Sequence, residues 1–202
     1  MASRSSNPSR RAPQQERSTL RVQAILQVAE DLFAARGFEA TTMTEVAEAA
    51  GSSIGSLYSY FPDKKALALA LLDIYGAQIE SHWQPLFAEI ETLDAKAFST
   101  RFIDRFLDFL TAHPAYLQLQ NAPVKLRRSA SAKKAFRASL IDALQRRVPS
   151  LGHDAAELHV LVLLQIVSGM MQLYPDATAV TKPAVVREFK AAIAAYVGTF
   201  FR

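Results

Sequence analysis

The run Thr42-Met43-Thr44-Glu45, followed closely by Gly51-Ser52-Ser53, constrains this chain more than any other feature. Thr-x-x-Glu is a capping box: the threonine hydroxyl accepts from the backbone N–H three residues on, and the glutamate reaches back to the threonine N–H. It starts a helix whose inner face is Val46, Ala47 and Ala50. Gly51 breaks that helix, because glycine takes the left-handed conformation that a sharp turn needs. A second short helix is expected from about Ile54 to Phe61. Pro62-Asp63 ends it, and Asp63 is placed to cap a further helix from Lys64. Two short helices joined by a tight glycine turn form a helix-turn-helix. Ala47 has to be small where the helices cross, and Val46 and Leu57 fill the space between them. Such a unit lays its second helix in the major groove of DNA.

The surroundings read as helix throughout. From Ser18, the residues Val22, Ile25, Leu26, Ala29, Leu32 and Phe33 recur at spacings of three and four, and Gly37 closes that helix. Beyond Lys64 the apolar residues keep helical spacing from Leu67 to Ile90, Phe98 to Leu110, Tyr116 to Leu119, Ala135 to Leu144, Leu158 to Tyr174 and Val185 to Phe200. Breaks are expected at Pro85, His113-Pro114, Ala122-Pro123, Pro149 to Gly152 and Pro175-Asp176, while Pro183 suits a helix's first turn. No strand-like alternation and no internal repeat is present. The fold class is all-α: an N-terminal three-helix DNA-binding unit over residues 16–65 and a larger helical domain over 66–202. Residues 1–15, rich in Ser, Arg, Pro, Gln and Asn, have nothing to pack and are expected to form a disordered basic arm. That arm is either a solvated tail or a DNA-tracking segment.

Composition removes several function classes. The chain has no cysteine, which excludes a disulfide framework, a zinc–thiolate site and a cysteine nucleophile. His82, His113, His153 and His159 do not pair at the spacing of a helical metal site, and no glycine-rich phosphate loop is present. An enzyme is therefore not expected, nor is a cofactor. The first 21 residues lack the apolar segment of a signal peptide. The stretch Leu158–Tyr174 is interrupted by Gln165, Ser168 and Gln172 and reads as too polar and too short for a membrane span. The expectation is a soluble, cytoplasmic protein without a membrane partner. A net charge of +4 permits a polyanionic partner without requiring one, but five arginines (Arg4, Arg10, Arg11, Arg17 and Arg21) against Glu16 concentrate positive charge at the N-terminus.

Residues 40–64, from Ala40 to Lys64, resemble the signature of the TetR family of transcriptional regulators almost position by position. Ile25-Leu26, Leu32-Phe33 and Gly37-Phe38 are similar to its first helix. The spacing of Thr42, Ala47, Gly51, Gly55, Leu57, Tyr58, Phe61 and Lys64 carries the likeness, and Ser52 departs from it where the family usually has an apolar residue. The resemblance implies phosphate contacts from Thr42, Tyr58 and Lys64, and a base-facing surface made by Thr44, Ser53, Ile54, Gly55, Ser56 and Tyr60. The chemistry agrees: hydroxyls bond phosphates or base edges, and Ile54 makes apolar contact of the kind a thymine methyl offers.

The resemblance also implies that the remainder dimerises and binds a small-molecule effector, that the protein regulates transcription by binding a double-stranded operator, and that it is a repressor. Leu158–Tyr174 is apolar nearly all round, and Val185, Phe189, Ile193 and Val197 form one stripe beside Ala191, Ala192, Ala194 and Ala195. By resemblance these two helices from each subunit form a four-helix homodimer interface; otherwise they complete a monomer core. Tyr75, Trp83, Phe87, Phe102, Phe106, Phe109, Tyr116, Met170, Met171 and Tyr174, together with Phe136, are candidates for an apolar pocket wall. A basic run (Lys125, Arg127, Arg128, Lys133, Lys134, Arg137, Arg146 and Arg147) faces only Asp142. It reads as a solvated face or as an attraction for an anionic ligand.

Overall fold

The computed structural model describes residues 11–124, 126 and 130–201, and every regular element among them is helical. Most of the N-terminal arm, with Arg4 and Arg10, lies outside the described residues, as do Lys125, Arg127 and Arg128 of the basic run. Helix α1 spans Arg11–Ala40, so it starts earlier than the Ser18 of the apolar pattern. Residues 11–15 of the expected arm are thus helical. Gln, Glu and Arg are good helix formers, and Pro13 falls in the first turn, where its missing N–H leaves no bond unmade.

Gly37 interrupts α1 with φ 77° and ψ 174°, a backbone conformation that a side chain would strain. The turn after it is held by buried Thr41, whose hydroxyl donates to the Gly37 carbonyl at 2.8 Å and lies 3.3 Å from the Leu32 carbonyl. Helices α2 (Met43–Ala49) and α3 (Ile54–Tyr60) follow as a helix-turn-helix.

Helix α4 (Lys64–Glu89) belongs to both halves of the molecule. Leu67, Ala68, Leu71 and Leu72 are buried towards its N-terminus, where it packs on α1. Ile79, Trp83, Leu86 and Phe87 are buried further along, within the larger half. A boundary at residue 65 therefore falls inside the first turn of α4. Pro85 does not break this helix. An interior proline costs about 3 kcal/mol, but Leu86, Phe87 and Ile90 beyond it are at most 2% exposed. Burial at roughly 1.5–3 kcal/mol for each such side chain outweighs that cost.

Helix α5 (Ala95–Ala112) is capped by Asp94, and short α6 (Tyr116–Gln120) follows the His113-Pro114 break. Helices α7 (Ala130–Arg147), α8 (His153–Leu173) and α9 (Lys182–Gly198) complete the body. Pro183 lies in the first turn of α9.

Helix α8 begins five residues before Leu158 and is, by length and composition alone, long and apolar enough to cross a membrane. That corrects the reading of this stretch as too short. Ala156, Val160, Leu163, Val167 and Met170 fix one of its faces in the protein core. Gly169 lets the Phe189 ring of α9 approach, with an added Cβ standing 3.7 Å from it. Ile193 and Val197 are fully buried in the monomer, so this part of the α9 stripe faces inward rather than towards a partner.

Candidate nucleic-acid interface and ligand cavity

The helix-turn-helix is built from local hydrogen bonds. Glu45 N–H donates to Thr42 Oγ1 at 3.2 Å and Thr42 N–H donates to Glu45 Oε2 at 2.9 Å, which completes the capping box. Arg36 pairs with the other Glu45 oxygen at 2.6 Å and ties α2 back to α1. At the far end, Gly51 has φ 59°. Its N–H donates to the Glu48 carbonyl at 3.0 Å and Ser52 N–H to the Ala47 carbonyl at 2.9 Å. These two bonds are a Schellman motif, which satisfies carbonyls that the helix end leaves unpaired. Ser53 caps α3 by accepting from Ser56 N–H, and Leu57 plugs α3 into the core with no exposure.

With Leu57 inward, the outward face of α3 is set by the helical repeat of about 100° per residue. Gly55 and Ser59 lie opposite Leu57 and are exposed. Ile54 is 40% exposed and Tyr58 50%, on the same side. Thr44 on α2 and the cap Ser53 are also exposed, and Ser56 is half-buried at the flank. Ser59 sits four residues after Gly55, a spacing that puts it on the same face.

Three residues expected at the interface also make contacts within the protein. Tyr60 is half-buried and packed against the core, with its hydroxyl 3.5 Å from Ser18 Oγ of α1. It lies one turn from Leu57 and so turns away from the outward face. Thr42 donates its hydroxyl proton to Glu45 Oε2 at 2.9 Å, within the capping box. Lys64 donates to the Glu39 and Thr41 carbonyls at 2.9 and 2.8 Å, with its ammonium 4.6 Å from the Phe38 ring centroid. By bonding these two carbonyls it braces α4 to the α1–α2 link. Ser52, the departure from the family pattern, has a buried hydroxyl oxygen with no hydrogen-bond partner.

The body holds a partly open cavity of about 460 Å³. Of the pocket candidates, Trp83, Phe102, Phe106, Tyr116, Phe136 and Met171 line it. The other pocket candidates do not reach it. Tyr75, Phe87, Phe109 and Met170 are buried in the packed core, and Tyr174 ends α8 beneath the ammonium of Lys182. Helical spacing places aromatics inside without telling core from cavity wall. The wall also holds polar residues that an aromatic search passes over: Gln120, Lys133, Arg137, Gln165 and Ser168. Two had a signal. Gln165 and Ser168 interrupt an apolar helix on the same stripe as Leu161, Leu164 and Met171, all of which line the cavity.

Two connections join the cavity to the head. Helix α6 contributes Tyr116 and Gln120 to the wall and packs against α1, where the Gln118 amide oxygen lies 3.5 Å from where a Cβ at Gly37 would stand. Deeper in, Tyr75 of α4 donates its hydroxyl to Glu30 of α1 at 2.6 Å. Burial and that neighbouring carboxylate push the Tyr75 phenol well above its usual range. The His113 ring meets Tyr75 at a tilt, with ring centroids 4.6 Å apart, and its Nδ1 lies 4.0 Å from Glu30. Burial lowers the His113 pKa, with Glu30 opposing and His82 adding to the effect.

Residues 25–71 match the family model of bacterial regulatory proteins of the tetR family, and residues 94–196 match the tetracyclin repressor-like C-terminal domain. YuxN of Bacillus subtilis, an HTH-type transcriptional regulator, is 25% identical over 158 residues, covering 74% of this chain and 52% of that protein. QacR of Staphylococcus aureus, also an HTH-type transcriptional regulator, is 35% identical over 102 residues, half of each chain. The chain spans about half the length of these curated relatives. Among solved structures, a TetR-family regulator from Mesorhizobium loti superposes with a TM-score of 0.65 at 19% identity, covering 91% of this chain and 98% of the other.

Proposed function

Since the chain belongs to the TetR family of bacterial transcriptional regulators, we propose that it is a repressor that binds a palindromic operator as a homodimer and is released by an amphipathic effector. Regulators of this family are DNA-binding transcription factors rather than enzymes. The observation that carries the reading is the double duty of α6, which lines the cavity with Tyr116 and Gln120 and packs against α1 of the head. A ligand that shifts α6 shifts the element from which α2 and α3 are hung.

Ile54, Gly55, Tyr58 and Ser59 form the groove-facing surface, with Thr44, Ser53 and Ser56 at its edge. Tyr58 supplies a phosphate contact, and Thr42 does so where its hydroxyl leaves Glu45. Lys64 acts chiefly by holding α4 in place. Arg4, Arg10 and Arg11 extend the phosphate contacts. Dimerisation uses the outer stripe of α8, where Leu158 is 60% and Leu173 52% exposed and the half-buried Val162 lies between them. Such apolar exposure on one stripe marks an association surface. A regulator that reads chromosomal DNA acts in the cytoplasm.

The dimer must present its two α3 helices about 34–36 Å apart to enter successive major grooves. The test is selection of bound duplexes from a random-sequence pool. The reading predicts an inverted repeat with half-sites about one helical turn apart. Unselective binding, or a single half-site bound by a monomer, would contradict it.

A further inference from the structure

Two residues of the cavity wall each hold a buried hydrogen-bond donor without an acceptor: Trp83 Nε1 and Gln120 Nε2. Trp83 is only 3% exposed, so its N–H is withheld from bulk solvent. An unpaired buried donor is costly, and native proteins keep few of them without a functional reason. The same wall carries Lys133 and Arg137, and no acidic residue lines it among the described residues. Phe136, on α7 between Lys133 and Arg137, meets Trp83 edge-on with ring centroids 5.5 Å apart. The remaining wall is apolar or aromatic, with Phe102, Phe106 and Leu164.

Resting on the proposal that this cavity is the effector site, we infer that its ligand is an amphipathic organic anion. Its oxygens accept from Trp83 Nε1 and Gln120 Nε2, its negative charge faces Lys133 and Arg137, and its apolar body lies among Phe102, Phe106 and Phe136. A neutral hydrocarbon would leave both donors unpaired, and a cation would be repelled by Arg137 in a wall that carries no carboxylate among the described residues. A site built around unpaired donors rejects ligands that lack acceptors far more strongly than an apolar pocket rejects a change of size.

Calorimetric titration of the full chain with four probes that share a dodecyl chain tests this: dodecanoate, dodecyl phosphate, dodecanol and dodecyltrimethylammonium, each below its micellar concentration. The inference predicts that at least one anion binds about tenfold or more tighter than the alcohol, and that the cation binds weakest. The ratio of the two anions distinguishes a carboxylate from a phosphate ester. Trp83→Phe and Gln120→Leu should each weaken the anion and the alcohol, both of which bring an acceptor oxygen. Arg137→Gln should weaken the anion alone. Gln120→Leu, at the less buried position, keeps the test independent of any folding defect in Trp83→Phe. Failure of both anions to bind, or binding of alcohol or cation as tight as the anion, overturns the inference. Release of the selected duplex by the alcohol or the cation would overturn it while leaving the effector-responsive repressor intact; failure to bind any selected duplex would instead refute the regulator reading.

Discussion

The Tyr75 hydroxyl donates to Glu30 at 2.6 Å and so fastens the helix shared by both halves of the molecule to the first helix of the DNA-binding head. Glu30 and His113 beside it are at most 15% exposed at the side chain, so this link lies largely out of water.

Tyr75→Phe leaves the Glu30 carboxylate buried without its hydroxyl donor. The expected cost is about 1–3 kcal/mol, read as a lowered midpoint of thermal unfolding. An unchanged midpoint would show that the bond adds nothing to the joint.

The same cluster gives stability an acid-side dependence. His113 has a folded pKa below its ordinary 6.5, so the unfolded chain takes up the proton more readily. Stability is therefore full above about pH 6.5 and falls as pH drops through that value towards the lower folded pKa. His113→Gln should flatten this part of the profile in denaturant titrations at a series of pH values. Loss from the Glu45 capping box belongs to lower pH, because its hydrogen bonds to Thr42 hold that carboxyl below the ordinary 4.5.

Ser52 buries a hydroxyl that bonds to nothing. Ser52→Ala removes the unmet group while keeping the Ser52 N–H bond to Ala47. It should raise stability by about 1 kcal/mol, or roughly 2–4 °C in unfolding midpoint for a chain of this size. A lower midpoint would mean that the hydroxyl finds a partner in solution.

The head was readable because its determinants are local. Thr42, Glu45, Gly51 and Asp63 act on backbone groups within a few residues, and the structure makes those bonds. Placement of Lys64 and Tyr60 was not readable, because their partners, Glu39, Thr41 and Ser18, lie 23 to 42 residues away along the chain. The cavity was half readable for a similar reason. Trp83 and Phe87 are one turn apart on α4 and equally buried, yet only Trp83 reaches the wall. Which of them does so depends on where α7 and α8 cross, and periodicity does not contain that.

Two substitutions separate reading bases from holding the frame. Ile54→Ala should change the preferred operator base, at a cost on the order of 1 kcal/mol, without lowering the unfolding midpoint. Lys64→Ala should lower that midpoint and weaken specific and non-specific duplexes alike. A shift of base preference by Lys64→Ala and none by Ile54→Ala would contradict the assigned surface.

Leu158→Glu places a charge on the exposed outer stripe of α8 and should yield a folded monomer in sedimentation. Ile193→Glu is expected to unfold the chain instead, because Ile193 is buried within one protomer. A monomeric wild type at micromolar concentration would contradict the dimer.

The most direct test of coupling between cavity and head is reciprocity. Dodecanoate is titrated into the protein with and without the selected duplex, following the fluorescence of Trp83, the only tryptophan and a cavity-wall residue. Linkage requires the duplex to weaken dodecanoate by the same factor by which dodecanoate weakens the duplex, and a tenfold effect corresponds to about 1.4 kcal/mol of coupling. The account predicts a matched loss of at least that size. Equal dodecanoate affinity in the presence and absence of duplex would contradict it.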